Sequence, residues 1–116
     1  MIIGTGIDIA EIERIQSADK RQPRFAERIL TEKEWTRYSS YTGRRRAEFL
    51  AGRFAAKEAF SKAYGTGIGA DLSFRSIEVG QNSEGKPAIL KPISEGVHLS
   101  ISHSKEYVVA QVIIEA

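Results

Sequence analysis

The alternation of apolar and polar positions predicts a strand over residues 2–9 at the start of the chain. One face of that strand carries Ile3, Thr5, Ile7 and Ile9, and the other carries Ile2, Gly4, Gly6 and Asp8. Glycine inside a strand often marks a place where another element packs closely. We therefore expect a second element to pack beside Asp8.

Helical patterns follow in the first half of the chain. The predicted segments are a short helix over 11–17, a helix that begins near Pro23, a helix that begins after the capping-box sequence Thr31–Glu34, and a long helix over 43–64. The glycine-rich loop 65–69 ends the long helix.

The second half of the chain changes to strand patterns. Strands are predicted over 74–79, 87–90, 97–102 and 107–114, with a hairpin-like turn over 82–86. The last strand is apolar on both faces, and both faces of such a strand need to be covered, which predicts a subunit interface. The predicted fold class is α+β, as one small domain over 1–116 with an antiparallel sheet packed on one long and several short helices.

The composition narrows the protein class. The chain has 116 residues, of which 41% are hydrophobic and 28% are charged, and it has no cysteine. Thiol nucleophiles, disulfides and cysteine-ligated zinc are thereby excluded, and a reducing cytoplasm is the expected location. No apolar run approaches the roughly 20 residues that span a bilayer, and no basic segment precedes the first apolar residues. We expect neither a membrane partner nor a signal peptide.

An acidic residue in the long helix stands out. Ala51, Ala55, Glu58 and Lys62 share one stripe, whose small residues allow another backbone to approach. A carboxylate there needs a partner, because uncompensated burial is costly. Lys62 is one candidate, since it follows Glu58 by one helical turn, and a metal ion is the other.

Asp8 is the best companion acid for Glu58. Together they offer two hard oxygen ligands with open positions for water and phosphate, which is how proteins usually hold Mg²⁺. The alternative for Asp8 is an electrostatic interaction with the N-terminus of the helix that starts near Glu11.

Two further features have two interpretations each. His103 ends a strand face with Val97, Leu99 and Ile101, so it is either a structural histidine or a donor to a phosphate, between Ser102 and Ser104. The glycine loop 65–69 follows a helix instead of preceding one, unlike a phosphate-binding loop. It either simply ends the helix or also lets backbone N–H groups approach a ligand.

Basic residues are clustered although the net charge is only +2. One cluster lies near the N-terminus and the other precedes the long helix: Arg14, Lys20, Arg21, Arg24 and Arg28, then Arg44, Arg45 and Arg46. Such clusters suit an acidic protein, a phosphorylated ligand or nucleic acid, and ordinary solvated arginines are the alternative.

Three segments together closely resemble holo-[acyl-carrier-protein] synthase, the short bacterial type of 4′-phosphopantetheinyl transferase. They are Gly6-Ile7-Asp8-Ile9, the helical run 49–69 with Arg53-Phe54-Ala55-Ala56-Lys57-Glu58-Ala59-Phe60-Ser61-Lys62-Ala63 at its centre, and Ser100-Ile101-Ser102-His103-Ser104. The likeness runs over nearly the whole length, and only 81–96 carries little of it.

The resemblance implies transfer of the 4′-phosphopantetheine arm of coenzyme A to a serine of acyl carrier protein, which activates the carrier for fatty acid biosynthesis and releases adenosine 3′,5′-bisphosphate. It also implies a Mg²⁺ site formed by Asp8 and Glu58, and a homotrimer whose active sites lie between subunits. Lys62 would reach the same phosphates and stabilise the transition state or leaving group. Either Glu58 or a water positioned by Asp8 would accept the serine proton.

The same resemblance assigns binding residues. Arg45, Arg53 and His103 would hold the nucleotide end of coenzyme A, and Ser61 and Gly65 would line the same groove. Acyl carrier protein is acidic, so Arg14 and Arg21 are the expected docking cations, with Arg24 and Arg28 in reserve.

A non-catalytic phosphate- or RNA-binding module is the alternative function. The chain lacks the aromatic sheet of an RNP-type domain and the loop of a KH domain, and its net charge is small for a nucleic-acid binder. We expect no nucleic-acid partner.

Overall fold

A computed structural model describes residues 1–116. The helices are α1 (Ile12–Arg21), α2 (Phe25–Ile29), α3 (Glu32–Ser40) and α4 (Gly43–Tyr64), followed by a short 3₁₀ helix (Phe74–Ser76). The strands are β1 (Ile2–Glu11), β2 (Glu78–Gln81), β3 (Pro87–Lys91), β4 (Val97–His103) and β5 (Tyr107–Glu115). The predicted α+β class is confirmed, as are the long helix and the capping box of Thr31 and Glu34.

The strands form two antiparallel sheets. A three-stranded sheet has the order β1-β5-β4, and β2 pairs with β3 separately. In the larger sheet Asp8 pairs with Ala110, which in turn pairs with Ile101 of β4. The site residues of β1 and β4 therefore lie on opposite edges of one sheet.

Helix α4 packs directly on β1 at the two glycines. A Cβ atom added to Gly6 would lie 2.0 Å from the carbonyl oxygen of Ala59, and one added to Gly4 would lie 2.0 Å from that of Ala63. The predicted close packing beside Asp8 is confirmed. The close approach is made by Ala59 and Ala63, not by the predicted stripe of Ala51 and Ala55, because the helix crosses the edge strand only near its C-terminal end.

Helix α4 is also joined to the helices and the small sheet by a buried lysine. Lys57 has no exposed surface, and its Nζ atom donates to Glu34 Oε1 at 2.6 Å, to the Ile29 carbonyl at 2.6 Å and to the Phe74 carbonyl at 3.1 Å. The other oxygen of Glu34 accepts from the N–H of Val79 at 2.7 Å. A satisfied ion pair of this kind fixes the relative positions of the elements that it joins.

Several boundaries differ from the sequence prediction, and β1 runs to Glu11 instead of ending at residue 9. The segment predicted as a strand over 74–79 begins as a 3₁₀ helix, and β2 starts only at Glu78. Reciprocal hydrogen bonds between Ser73 and Ser76 stabilise this turn, and such serine contacts compete with strand pairing. Helix α1 is longer than predicted and runs to Arg21.

The outer face of the larger sheet mixes exposed isoleucines with exposed polar residues such as Thr5, Gln111 and Ser100. Ile3, Ile7 and Ile9 are 63%, 59% and 62% exposed, and Val109 and Ile113 beside them are half-buried. The inner face of β5 is buried under α4, whereas no element of this chain covers the outer face. No helix is both long enough and apolar enough to cross a membrane.

Candidate active site and nucleotide cavity

Asp8, Glu58 and Lys62 come together where β1 crosses the C-terminal half of α4. The Lys62 ammonium lies 3.2 Å from Asp8 Oδ1 and donates to the Ile7 carbonyl at 2.9 Å. An ion pair between Lys62 and Glu58, one of the two alternatives for Glu58, does not form, because Lys62 extends towards β1, where it gains both acceptors. The interpretation of Asp8 as a partner of the first helix also fails, since Asp8 contacts α4.

Glu58 therefore has no ion-pair partner. Partial burial and the negative charge of Asp8 raise the pKa of its carboxyl group, while Lys62 acts in the opposite direction. Two carboxylates that share one positive charge favour a further cation. Their hard oxygen atoms fit Mg²⁺, which proteins usually hold through one or two carboxylates together with water and substrate phosphate.

A second group of predicted residues lines a cavity of about 360 Å³ between α4 and the end of β4. Arg45, Arg53 and His103 all contribute to its wall. Burial lowers the pKa of Arg53 to about 10, the nearby charge of Arg37 adds to this effect, and the buried Arg53 Nε has no hydrogen-bond partner. The cavity is thus positively charged and suited to an anion.

The two groups face different sides of the same helix. Arg53 and Glu58 are five residues apart, which separates their side chains by about 140° around the axis. A ligand that contacts both groups of a single chain would have to pass around α4.

Ser61 and Gly65 do not line the cavity of Arg45. Ser61 is buried, and its hydroxyl donates to the Glu58 carbonyl at 2.7 Å within the same helix. Gly65 ends α4 in a left-handed conformation with φ of 104°, and its N–H donates to the Ser61 carbonyl at 3.0 Å. The helix-ending interpretation of the loop is confirmed.

A second cavity, of about 630 Å³, lies between β1 and α1. Arg14 and Arg21 line it together with Phe54, and Glu11 and Glu13 interrupt the positive charge. Arg24 and Arg28 are exposed but lie outside this cavity. The two arginines first predicted for docking therefore share one surface, and Phe54 gives it an apolar contact that the sequence analysis missed.

The sequence analysis also missed two aromatic residues of the cavity that Arg45, Arg53 and His103 line. The guanidinium of Arg45 lies 4.7 Å from the ring centre of Tyr41, and that of Arg53 lies 4.3 Å from the ring centre of Phe49. Each aromatic residue precedes its arginine by four positions, and this spacing was the available signal.

The family model and the similar proteins all indicate the same protein family. Residues 4–112 match the model of the 4′-phosphopantetheinyl transferase superfamily. The chain is 58% identical to a holo-[acyl-carrier-protein] synthase of Bacillus velezensis over 99% of this chain and 97% of that protein. It is 57% identical to the synthase of Bacillus subtilis, with the same coverage.

Solved structures with a similar fold belong to the same family. A holo-(acyl-carrier-protein) synthase from Bacillus anthracis in complex with CoA (3′,5′-ADP) superposes with a TM-score of 0.90 at 54% identity, over 100% of this chain and 98% of that one. The Helicobacter pylori synthase in complex with coenzyme A gives a TM-score of 0.79 at 32% identity, over 96% of this chain and 99% of that one.

Proposed function

This chain belongs to the holo-[acyl-carrier-protein] synthases of the 4′-phosphopantetheinyl transferase superfamily, and we propose that Asp8, Glu58 and Lys62 form its Mg²⁺-dependent transfer site. The reaction moves 4′-phosphopantetheine from coenzyme A to a serine of apo-acyl carrier protein and releases adenosine 3′,5′-bisphosphate. The main support for this site is that the carboxylates of Asp8 and Glu58 lie close to the ammonium of Lys62 where β1 packs on α4. The activated carrier would serve fatty acid biosynthesis.

Asp8 and Glu58 are the residues that would hold Mg²⁺. When bound, the ion neutralises charge on the pyrophosphate of coenzyme A. Supporting this assignment, Glu58 has no counter-charge of its own, and its pKa is raised by burial and by Asp8. A divalent cation removes both the repulsion and the need for protonation.

Lys62 would stabilise the leaving phosphate. Its ammonium is half-exposed and is held 3.2 Å from Asp8 Oδ1, so it can reorient to a phosphate oxygen without leaving the site. The serine hydroxyl must lose a proton, and either Glu58 or a water positioned by Asp8 would accept it.

The nucleotide end of coenzyme A would bind at Arg45, Arg53 and His103. Two guanidinium groups and an imidazole line one cavity there, and no carboxylate lies within 4 Å of either arginine. Because this cavity and the Asp8 site face different sides of α4, we propose that each active site combines the Asp8 group of one subunit with the cavity of another. Ser61 and Gly65, which do not line the cavity of Arg45 in the same chain, would then line the groove of the shared site.

The proposed assembly is a homotrimer. The support is the uncovered outer sheet face, on which Ile3, Ile7 and Ile9 lie beside Val109 and Ile113. A cluster of exposed apolar residues on an uncovered sheet face is typical of a surface that binds another subunit.

Acyl carrier protein would dock on α1. Arg14 and Arg21 are exposed on one cavity wall, and Phe54 offers an apolar contact between them and β1. Basic rim residues of this kind act on the association rate with an acidic partner.

The proposed function is tested by mass spectrometry of apo-acyl carrier protein after incubation with this protein and coenzyme A. Carrier mass should rise by one phosphopantetheine group with Mg²⁺ and stay unchanged with EDTA. A folded protein that leaves a competent carrier unmodified would overturn the proposal and favour the phosphate- or RNA-binding alternative. If the carrier mass still rises in EDTA, the metal requirement is wrong but the transfer reaction stands.

A further inference from the structure

The nucleotide cavity has an aromatic and cationic wall that extends beyond the three residues assigned above. The ring centres of Tyr41 and Phe49 are 5.4 Å apart in an edge-to-face arrangement. Arg45 lies over Tyr41 at 4.7 Å, and Arg53 lies over Phe49 at 4.3 Å. Both distances are within the range of cation–π attraction, so the rings hold the two guanidinium groups in place.

Arg37 of α3 does not itself line the cavity, but its guanidinium contacts two aromatic residues of this wall. Its Nη2 atom donates to the Tyr41 hydroxyl at 3.1 Å, and its guanidinium carbon lies 5.5 Å from the ring centre of Phe49. Arg37 thus bridges two aromatic residues that also contact Arg45 and Arg53.

The positive charge of this cluster is not compensated within the chain. None of Arg37, Arg45 and Arg53 has a carboxylate within 4 Å, and the acid at the cavity, Glu48, pairs with Arg44 at 3.2 Å. Hydrogen bonding from Arg37, and then from Arg45, lowers the pKa of Tyr41. These three cations lie beside one acid that is already paired with Arg44, so they repel one another unless an anion binds between them.

We propose that Arg37 and Tyr41 are binding residues that make this site selective for a nucleotide carrying a phosphate monoester. The inference rests on the proposed function and deepens it. Coenzyme A has one phosphate monoester, at its ribose 3′ position, and its other two phosphates form the pyrophosphate bridge. A monoester carries nearly two negative charges at neutral pH and therefore matches several guanidinium groups better than a singly charged phosphate does.

Tyr41 has a defined part in this arrangement. Its hydroxyl oxygen accepts the hydrogen bond from Arg37, which leaves the O–H proton free to donate to a phosphate oxygen. Arg37 then acts in two ways, through its own charge and by orienting the Tyr41 hydroxyl.

The test compares two donors and three variants. We measure kcat/KM with coenzyme A and with 3′-dephospho-coenzyme A for the wild type, Arg37→Gln and Tyr41→Phe. Arg37→Gln should lower kcat/KM for coenzyme A about tenfold and Tyr41→Phe about threefold, with little change for the dephospho donor. Arg75→Gln, an exposed arginine on the 3₁₀ helix, is the matched control and should change neither value.

If Arg37 had only a structural role, Arg37→Gln would lower kcat/KM for both donors by the same factor. That result would overturn the proposal, and so would an unchanged kcat/KM with both donors.

Calorimetry separates this proposal from the proposed function. Wild type should bind adenosine 3′,5′-bisphosphate more tightly than adenosine 5′-phosphate, and Arg37→Gln should abolish most of that preference. If no transfer occurs with any donor, the proposed function fails, and the calorimetric preference still decides the role of Arg37.

Discussion

The ammonium group of Lys62 binds the carboxylate of Asp8, at 3.2 Å, and leaves the neighbouring carboxylate of Glu58 without a partner. The site therefore holds two carboxylates and only one ammonium group, which leaves an excess of negative charge. The pKa of Glu58 is raised by burial and by Asp8 for this reason. The ionised form of Glu58 is therefore a source of instability until a cation binds.

Glu58→Gln should stabilise the folded protein at neutral pH. Between the ordinary carboxyl pKa of 4.5 and its raised value in the folded state, the folded chain holds a proton that the unfolded chain has released. Stability consequently falls as pH rises through this window. Thermal denaturation should give a higher Tm for Glu58→Gln than for wild type at pH 7, and the difference should shrink as pH falls towards 4.5.

Added Mg²⁺ supplies the control for that prediction. The ion should raise the Tm of wild type, since binding to the folded state stabilises it, and should leave Glu58→Gln nearly unchanged. An equal Tm increase in both proteins would mean that Glu58 does not contribute to the metal site. A lower Tm for Glu58→Gln at pH 7 would contradict the electrostatic account.

Lys57→Met should destabilise the protein strongly although Lys57 touches no ligand in the proposed site. Its removal leaves Glu34 buried with an uncompensated charge, which typically costs about 3–5 kcal/mol. Urea denaturation measures the loss. The double variant Lys57→Met with Glu34→Gln should recover part of it, and a loss below about 1 kcal/mol for the single variant would be inconsistent with a buried ion pair.

Gly6→Ala should separate β1 from α4. The new methyl group would lie 2.0 Å from the carbonyl oxygen of Ala59, so one backbone has to move, at a cost of about 3 kcal/mol. Transfer activity should also fall, because Asp8 moves relative to Glu58. Gly69→Ala is the control, since no atom lies within 4 Å of its added Cβ, and equal stabilities of the two variants would rule out the close packing.

Arg14→Glu should weaken the use of acyl carrier protein. We expect KM for the carrier to rise about tenfold at low salt, less at high salt, while KM for coenzyme A stays unchanged. Steady-state kinetics with each substrate varied in turn measures both. Lys86→Glu makes the same charge change on the exposed β2–β3 turn and should leave both KM values unchanged. If Arg14→Glu raises KM equally for the carrier and for coenzyme A, Arg14 is not part of the docking surface.

Much of the fold followed from local sequence patterns. The period of β1, the capping box at Thr31 and the glycines after Tyr64 each determine a local conformation, and these elements lie where they were predicted. Residues 74–76 were assigned incorrectly, since a strand pattern and a serine-stabilised turn compete there and hydrogen bonds between neighbouring serines favour the turn.

The sequence predicted which residues form the site, Asp8, Glu58 and Lys62, but not which acid Lys62 contacts. Periodicity placed Glu58 and Lys62 on one helical stripe, yet the contact of Lys62 with Asp8 spans 54 positions along the chain and depends on how β1 crosses α4. The network of Lys57 with Glu34 was missed for the same reason. Long-range contacts of polar side chains leave little periodic signal in a single sequence.

Subunit complementation tests the central claim that each active site is shared between copies of the chain. Glu58→Gln removes the metal side and Arg53→Gln removes the nucleotide side, so each variant alone should be nearly inactive. Co-expressed and randomly mixed, they should regain about a quarter of wild-type transfer activity, because one interface in four combines two intact halves. Mixed assemblies that stay as inactive as the separate variants would contradict a shared site.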